Sequence, residues 1–293
     1  MSDLYIEYSG NYIKLLQMDN NTVKFLDQFE FVDARYFYLE PKINHKKINE
    51  VTELILNNLK RNNLFTDNIK FVLDSRLAYI SCIPLDYSDE VENINSSLIW
   101  EISNFFPENY KNYKVTYQKI IHSNKELEHL GNTLIIAYHK NIAEITRRIS
   151  EISSLKISNI NFDVFTAGSY LTRLSRKNFA VIGCKKDRLD LSVYLNGKIS
   201  FFLPVYLKDN TKDILQTEVY KILKLSGYEE ITDIFVYGDE VCPKIISLLN
   251  DFRWKYKVQL TDPFKDYSVD ASLLEDRVEQ LNSYSFTPLF GLK

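Results

Sequence analysis

A strand meander at residues 178–205 constrains the fold of this chain more than any other stretch. Its apolar residues alternate with polar ones, at Phe179, Val181, Leu189, Leu191, Val193 and Leu195. This period of two predicts strands that each bury one face. Asn196 and Gly197 then supply the two residues of positive φ that a two-residue hairpin turn requires. The sequence therefore predicts three strands, with a tight turn between the second and the third.

Residues 1–18 repeat this pattern in a weaker form. The apolar positions there are Leu4, Ile6, Ile13, Leu15 and Leu16, with a break at residues 8–11. We expect a strand, a turn and a strand here as well. The same unit at the start of both halves predicts two related lobes around a cleft, with the first turn of each lobe facing the cleft. At 293 residues the chain is long enough to bury two cores.

The charge and hydropathy of the chain exclude some classes of partner. The net charge is -3, and basic residues are interleaved with acidic ones, whereas nucleic-acid binding needs a concentrated basic face. The longest apolar run is broken by Pro204 and is far too short to span a bilayer. We therefore expect a cytoplasmic protein that does not bind nucleic acid.

The first 177 residues predict one lobe with an insertion. The elements expected in the lobe before the insertion are a third strand at 22–31, a helix at 48–59 and strands at 69–73 and 77–83. Residues 85–155 then read as helix, strand, strand and helix, which we interpret as a small inserted subdomain. The first lobe resumes with a strand and a helix that begins at Asp163.

Residues 178–293 predict the second lobe. After the meander, the expected elements are a helix at 212–225, a strand at 231–237, a helix at 241–252, a strand at 257–260 and a weaker helix at 271–281. We expect the C-terminal tail to return toward the first lobe.

Several short landmarks follow one another in a particular order. They are Ile83-Pro84, the sequence from Ile99 to Pro107, the strand from Tyr113 to Lys119, Asn196-Gly197, Asp262-Pro263-Phe264 and Gly291-Leu292. In this order and spacing the chain resembles the type IV pilus assembly protein PilM, a relative of actin and of the cell-division protein FtsA. The resemblance covers nearly the whole length. It implies an α/β fold of the actin-like (RNase H-like) type, with two lobes and a subdomain inserted at about residues 85–155.

The resemblance also identifies the positions of a nucleotide site. In this superfamily each phosphate hairpin carries an Asp that holds the water shell of magnesium, and a Gly two residues later that lets the backbone approach phosphate. Glu7 and Ser9 occupy these two positions in the first hairpin, and Gly183 and Lys185 occupy them in the second. The second hairpin has therefore lost its metal-binding acid.

A third turn departs from the same pattern. Gly238, Asp239 and Glu240 stand where relatives offer two glycines to the adenosine. We expect Tyr8, Lys185, Asp239 and Glu240 to fill the cleft, with Lys185 paired to one of the two acids. Asp187 and Asp190 resemble a catalytic carboxylate dyad in residue type, but we interpret them as solvated acids of a hairpin. These departures predict a chain without a cofactor that does not hydrolyse ATP.

The inserted subdomain is the predicted site for a partner. Trp100 lies off the apolar stripe of its helix, and Tyr110 and Tyr113 follow the Pro107 stop. Aromatic residues beside a strand edge suit an extended peptide, and relatives hold such a peptide between the first lobe and this subdomain. The alternative is that the three rings cover the core of the subdomain.

Three functions remain open on the sequence. The first is a non-catalytic scaffold resembling PilM or GspL, which binds a short cytoplasmic segment of a PilN-like or GspM-like inner-membrane protein and joins it to a cytoplasmic motor ATPase. The second is an ATP-binding PilM-like assembly protein. The third is an enzyme of the sugar-kinase branch, which the degraded phosphate hairpins disfavour.

Overall fold

The structure is a computed structural model. It describes residues 2–8, 12–30, 44–64, 66, 68–87, 91–107, 110–122, 125–207, 219–225, 227–241, 245–247, 256–270, 273 and 281–292. Ser9 lies outside these residues, as do most of the helices expected at 212–225, 241–252 and 271–281.

The strands of this part of the chain form three sheets. The strands are β1 Ser2–Tyr8, β2 Tyr12–Asp19, β3 Thr22–Glu30, β4 Asn68–Leu73, β5 Ala78–Ile83, β6 Tyr113–Lys119, β7 Thr133–His139, β8 Lys156–Phe162, β9 Phe179–Cys184, β10 Arg188–Leu195, β11 Lys198–Tyr206, β12 Asp233–Tyr237, β13 Lys257–Leu260 and β14 Ser268–Val269. The order is β14, β3, β2, β1, β4, β8 in the first sheet, β11, β10, β9, β12, β13 in the second and β5, β7, β6 in the third.

Seven helices connect or cover these sheets in the described residues. They are α1 His45–Arg61, α2 Val91–Phe105, α3 Lys140–Ser153, α4 Asp163–Arg173, α5 Tyr220–Leu223, α6 Pro263–Asp266 and α7 Thr287–Phe290. The apolar face of α1 is buried at Ile48, Val51 and Ile55, because residues spaced by three or four positions share one face of a helix. No helix in the described ranges is long and apolar enough to cross a membrane.

The central meander folds as the sequence predicts. β10 pairs antiparallel with both β9 and β11, and every residue of β9 is buried. Asn196 and Gly197 have φ angles of 52° and 72°, which is the left-handed conformation of both central residues in a two-residue hairpin turn. The predicted turn is confirmed.

The third sheet belongs to the inserted subdomain and includes one strand that we expected in the first lobe. β5 pairs antiparallel with β7 along its whole length, so residues 78–83 extend the subdomain sheet and not the first sheet. The reason is that β5 follows a short helical turn at Ser75–Leu77, which directs the chain away from β4. The predicted order of helix, strand, strand and helix is present as α2, β6, β7 and α3.

An apolar cluster joins the two lobes and the C-terminal residues. It contains Tyr5 and Leu16 from the first lobe, Phe179 and Phe235 from the second, and Phe286, Leu289 and Phe290 from the tail. Arg173 at the end of α4 donates a hydrogen bond to the backbone oxygen of Phe290. The tail is therefore packed against the last helix of the first lobe.

Candidate functional site

Parallel strands bring several charged residues to one buried site. β1, β4 and β8 run parallel in the first sheet, so Glu7, Asp74 and Asp163 lie at neighbouring carboxyl ends. β9 and β12 run parallel in the second sheet, and Lys185 and Asp239 follow their carboxyl ends. Ligands of open α/β sheets bind at this end of the strands.

Lys14 binds oxygens from both lobes in the first part of the site. Its Nζ lies 2.7 Å from Asp239 Oδ1, 3.3 Å from Glu7 Oε1 and 2.7 Å from the backbone oxygen of Ser285. Burial raises the pKa of Glu7 to about 7; the attraction of Lys14 opposes this rise and the repulsion of Asp239 adds to it. Glu7 is therefore near its titration midpoint at neutral pH.

Lys185 is the centre of the second part. Its Nζ donates to Asp163 Oδ2 and lies 3.7 Å from Asp74 Oδ1. Burial disfavours the charged form of Lys185, yet the two carboxylates outweigh it and raise its pKa. Burial likewise opposes ionisation of Asp74, but Lys185 and Arg76 outweigh it and hold the pKa of Asp74 well below its ordinary value. The ammonium of the second lobe thus lies between two carboxyl groups of the first.

A second ion pair, between Arg188 and Asp190 of the second lobe, is linked to Asp163 through hydrogen bonds from Ser75. Arg188 Nε lies 2.8 Å from Asp190 Oδ1, and the hydroxyl of Ser75 donates to the other oxygen of Asp190. The backbone N–H of Ser75 donates to Asp163 Oδ1 at 2.9 Å. Asp190 is fully buried, so the expectation of a solvated hairpin acid is wrong for this residue. Its charge is instead compensated by Arg188 on the same strand.

Tyr237 occupies the space beside Gly183. A Cβ at Gly183 would lie 2.7 Å from the Tyr237 hydroxyl oxygen, so the position that carries a metal-binding Asp in relatives has no room for a side chain here. The hydroxyl donates to Asp163 Oδ2 at 3.3 Å. Gly238 has φ of 116°, and a Cβ there would lie 2.4 Å from the backbone oxygen of Cys184. The turns after β9 and β12 are therefore in direct contact.

These contacts decide what the site can hold. Carboxylates are ligands that magnesium prefers, but Asp74 and Asp163 both face the ammonium of Lys185. Among the described residues, no group of three or more His, Cys, Asp or Glu side chains is arranged to hold a metal ion. The arrangement is one of paired charges that satisfy one another, and it connects the lobes through Lys14 and Lys185.

The structure changes two of the expected contacts. Lys185 does not pair with Asp239 or Glu240, because Asp163 at the start of α4 is closer and completely buried; Asp239 pairs with Lys14 instead. Tyr8 is buried in an apolar cluster that combines residues of the first lobe and of the inserted subdomain with Phe202 of the second lobe. Glu240 is half-buried, and its backbone N–H donates to Cys184 O at 3.4 Å.

Sequence reasoning missed Lys14, Asp74 and Asp163 as members of the site. A signal for the two acids was present, because each comes directly after a predicted strand. Leu73 and Phe162, the residues before them, are paired in neighbouring parallel strands. Acids at the carboxyl ends of adjacent parallel strands are expected to lie together.

A groove lies between the first lobe and the inserted subdomain. We call it the β8 groove; its cavity of about 460 Å³ is lined by Leu73, Tyr138, Ile142, Ile157 and Ile160, with Lys114, Arg147, Glu151 and Lys156 among its charged residues. β8 is an edge strand of the first sheet and β6 of the third. Both present mostly exposed residues. The groove therefore has an apolar floor beside two strand edges that pair with no further strand of the described residues.

None of the three aromatic residues predicted to bind a partner lines the β8 groove. Tyr110 and Tyr113 are partly buried and pack against the core of the subdomain, and their role in binding a partner stays a prediction. Trp100 is 65% exposed on α2. Its role in binding a partner stays a prediction.

The architecture defines the class of protein. Two lobes, each with a sheet whose carboxyl ends face a common cleft, and a small subdomain of three strands and two helices inserted in the first lobe form an actin-like fold. No protein-family profile and no curated protein sequence matches the chain.

Solved structures share this fold over almost the whole chain. The PilM–PilN type IV pilus biogenesis complex is similar with a TM-score of 0.70 at 13% identity, over 99% of this chain and 97% of that one. A protein of unknown function with an actin-like ATPase fold from Bacteroides thetaiotaomicron has a TM-score of 0.53 at 16% identity, over 91% and 92%. The cytoplasmic domain of EpsL, an inner-membrane component of the type II secretion system of Vibrio cholerae, has a TM-score of 0.50 at 6% identity, over 98% of both chains. The actin-like fold and the resemblance to PilM at the level of fold are confirmed.

Proposed function

We propose that this chain is a non-catalytic actin-like scaffold of a type IV pilus, a type II secretion system or a related envelope machine. It lies in the cytoplasm at the inner membrane and joins an assembly platform to a cytoplasmic motor ATPase. Its membrane partner is a PilN-like or GspM-like protein that it holds by a short cytoplasmic segment. The structural likeness to a PilM–PilN complex supports this class of partner.

The observation that carries the non-catalytic part of the proposal is the position of Lys185. Its ammonium lies against Asp163 and Asp74 in the turn where relatives place a Gly that faces phosphate. A magnesium nucleotide would have to displace this ammonium, and it would leave two buried carboxylates in need of another cation. Breaking a buried pair in this way is strongly unfavourable.

An ATP-binding assembly protein is the second candidate, because Glu7 keeps a carboxylate at the first hairpin. This carboxylate is 3.3 Å from Lys14 and only 3% exposed. Nucleotide binding would therefore require Lys14 to release Glu7 while Lys185 releases Asp163. The first candidate needs neither change.

The β8 groove supports the choice of an extended peptide as the partner segment. An added strand gains affinity from backbone hydrogen bonds to a free sheet edge and gains specificity from pockets for alternate side chains. β8 offers such an edge, and Ile160 next to the groove floor is 43% exposed. Lys114 and Lys156 at the groove favour a segment that carries acidic residues.

Peptide binding by groove variants tests this proposal. The probe is a fluorescent peptide with the cytoplasmic segment of the PilN-like protein encoded beside this chain. We expect Ile160→Asp to weaken binding about tenfold or more, since it places a charge in an apolar pocket. Ile121→Asp is the matched control, because Ile121 is 86% exposed and lies outside the groove.

Two outcomes contradict the proposal. One is that the segment does not bind the folded wild-type chain. The other is that Ile121→Asp weakens binding as much as Ile160→Asp does. Trp100→Ala, measured in the same series, decides whether the predicted aromatic residue contributes.

A further inference from the structure

A second groove lies between the inserted subdomain and the second lobe. We call it the β5 groove; its cavity of about 630 Å³ runs between β5 and the end of α2 on one side and β11 on the other. Within the part of the chain that the structure describes, no residue lines both this groove and the β8 groove. The β5 groove is therefore a separate surface that the proposed scaffold function does not use.

Aromatic rings form one wall of the β5 groove. Tyr79 is in contact with Phe105, with ring centroids 4.3 Å apart, and with Phe106 at 6.2 Å. Phe106 stacks on Tyr113 at 4.1 Å. Phe105 remains 55% exposed, and Tyr206 on the opposite wall remains 57% exposed. Exposed large rings that line a groove mark a binding surface.

A hydrogen-bond donor without a partner lies at one end of the groove. Arg76 is only 7% exposed, and its Nε and Nη2 bind Asp74. Its Nη1 has no hydrogen-bond partner in the described part of the chain and is 3.8 Å from Asp187 Oδ1. Because a buried N–H without a partner is unfavourable, this atom is suited to donate a hydrogen bond to the carbonyl oxygen of a ligand.

The charge at the same end favours a basic ligand. Two guanidiniums, of Arg76 and Arg188, are accompanied by the carboxylates of Asp74, Asp187 and Asp190. Both guanidiniums are at most 8% exposed, whereas Asp187 is 42% exposed. Among the charged residues that line the groove, the most exposed is therefore an acid, Asp187.

The wall formed by β11 does not favour an added strand. Pro204 lies in this edge strand and lines the groove, and proline has no backbone N–H to donate to a ladder. A polyproline II helix needs no such ladder, since its prolines pack on aromatic rings and its carbonyls accept single hydrogen bonds. The rings, the free donor and the acidic end together fit this conformation.

We propose that the β5 groove binds a proline-rich segment of a partner protein in the polyproline II conformation, with a basic residue beside Asp187. Prolines of the segment pack between the rings of Phe105 and Tyr206. A carbonyl oxygen of the segment accepts from Arg76 Nη1.

Labelled peptides test the proposal on the full chain. The probes are fluorescein decapeptides with a Pro-x-x-Pro core, in which x covers the apolar residues, and an Arg at one end or the other. Two matched sets replace the Arg by Glu or both prolines by Val. We expect binding from members of the first set only, and weaker binding at higher salt because the pair with Asp187 is exposed.

Surface variants locate the binding site. We expect Phe105→Ser, Tyr206→Ser and Asp187→Lys each to weaken the best peptide about tenfold. Tyr117→Ser and Glu53→Lys are controls that change an exposed ring and an exposed acid outside the groove. The proposal is overturned if no peptide of the first set binds, if the Val peptides bind equally well, or if the controls weaken binding as much as the groove variants.

Discussion

Glu7 is almost completely buried, so its ionisation depends on burial and on the charges around it. Lys14 from β2 and Lys185 from the turn after β9 favour the carboxylate, while Asp239 and Asp163 disfavour it, and burial is the largest of these effects. A pKa raised to about 7 means that the folded chain takes up a proton that the unfolded chain has already released. This residue therefore links folding to pH.

The sign of this link gives a prediction for Glu7→Gln. The contribution of Glu7 to stability is fully present below its unfolded pKa and is lost as pH rises through about 7. The neutral variant lacks this loss, so we expect Glu7→Gln to gain stability relative to wild type between pH 5 and pH 8. The gain is at most about 1.4 kcal/mol for each unit of the pKa shift. Urea unfolding at both pH values measures it.

The contribution of Asp74 to stability changes in another pH range, so it does not interfere with the comparison of Glu7→Gln and wild type. Its pKa is depressed, so its contribution is present above the unfolded pKa and is lost only in acid. If the difference between Glu7→Gln and wild type is the same at pH 5 and pH 8, the folded carboxyl does not titrate in this range.

At the scale of elements, the turn between β9 and β10 is the part of the second lobe that enters the site. Two adjacent lysines of this turn have opposite environments: Lys185 is buried and Lys186 is exposed. The backbone N–H of Lys185 donates to Arg188 O at 3.0 Å, which closes the turn and directs its side chain toward Asp163. The turn positions an ammonium where a phosphate-binding turn would leave space.

Replacing each lysine by methionine measures how much each side chain contributes to the free energy of unfolding. We expect Lys185→Met to destabilise the chain by about 3–5 kcal/mol, because it leaves Asp163 and Asp74 buried without their cation. Lys186→Met changes an exposed side chain and is expected to stay within about 0.5 kcal/mol of wild type. Equal free energies of unfolding for the two variants would show that the buried pair contributes nothing.

The strands and their turns were predictable because their signals are local. Alternation along β9 and β10 and the Asn196-Gly197 pair gave the meander, and helical spacing gave α1. The sheet that β5 joins was not predictable from the residues of β5 alone. Which sheet a strand joins depends on pairing with β7, and β7 begins 50 residues after Ile83 ends β5.

The turns that form the site were predictable, but the ion pairs between their residues were not. The resemblance located Glu7, Gly183, Lys185 and Asp239 at turns that the structure brings together. The partner of Lys185 was assigned from neighbouring turns, whereas Asp163 is supplied by the start of α4. Ion pairs across lobes depend on distances that no local pattern encodes.

On the scale of the whole molecule, the lobes are held together by their own side chains. Lys14 binds Asp239 and Lys185 binds Asp163 across the cleft. Behind these ions, the apolar cluster that contains Tyr5 and the tail residues joins both sheets. The account therefore predicts a cleft that is closed without nucleotide.

Thermal unfolding of the full chain with and without magnesium ATP tests this claim most directly. We expect the same midpoint in both conditions, with free magnesium as the control, because Lys14 and Lys185 already compensate the acids of the cleft. Nucleotide that binds the folded state and is present at about a hundredfold excess over its Kd would add about 2.7 kcal/mol of stability. A rise of the midpoint that depends on both magnesium and ATP would contradict the account.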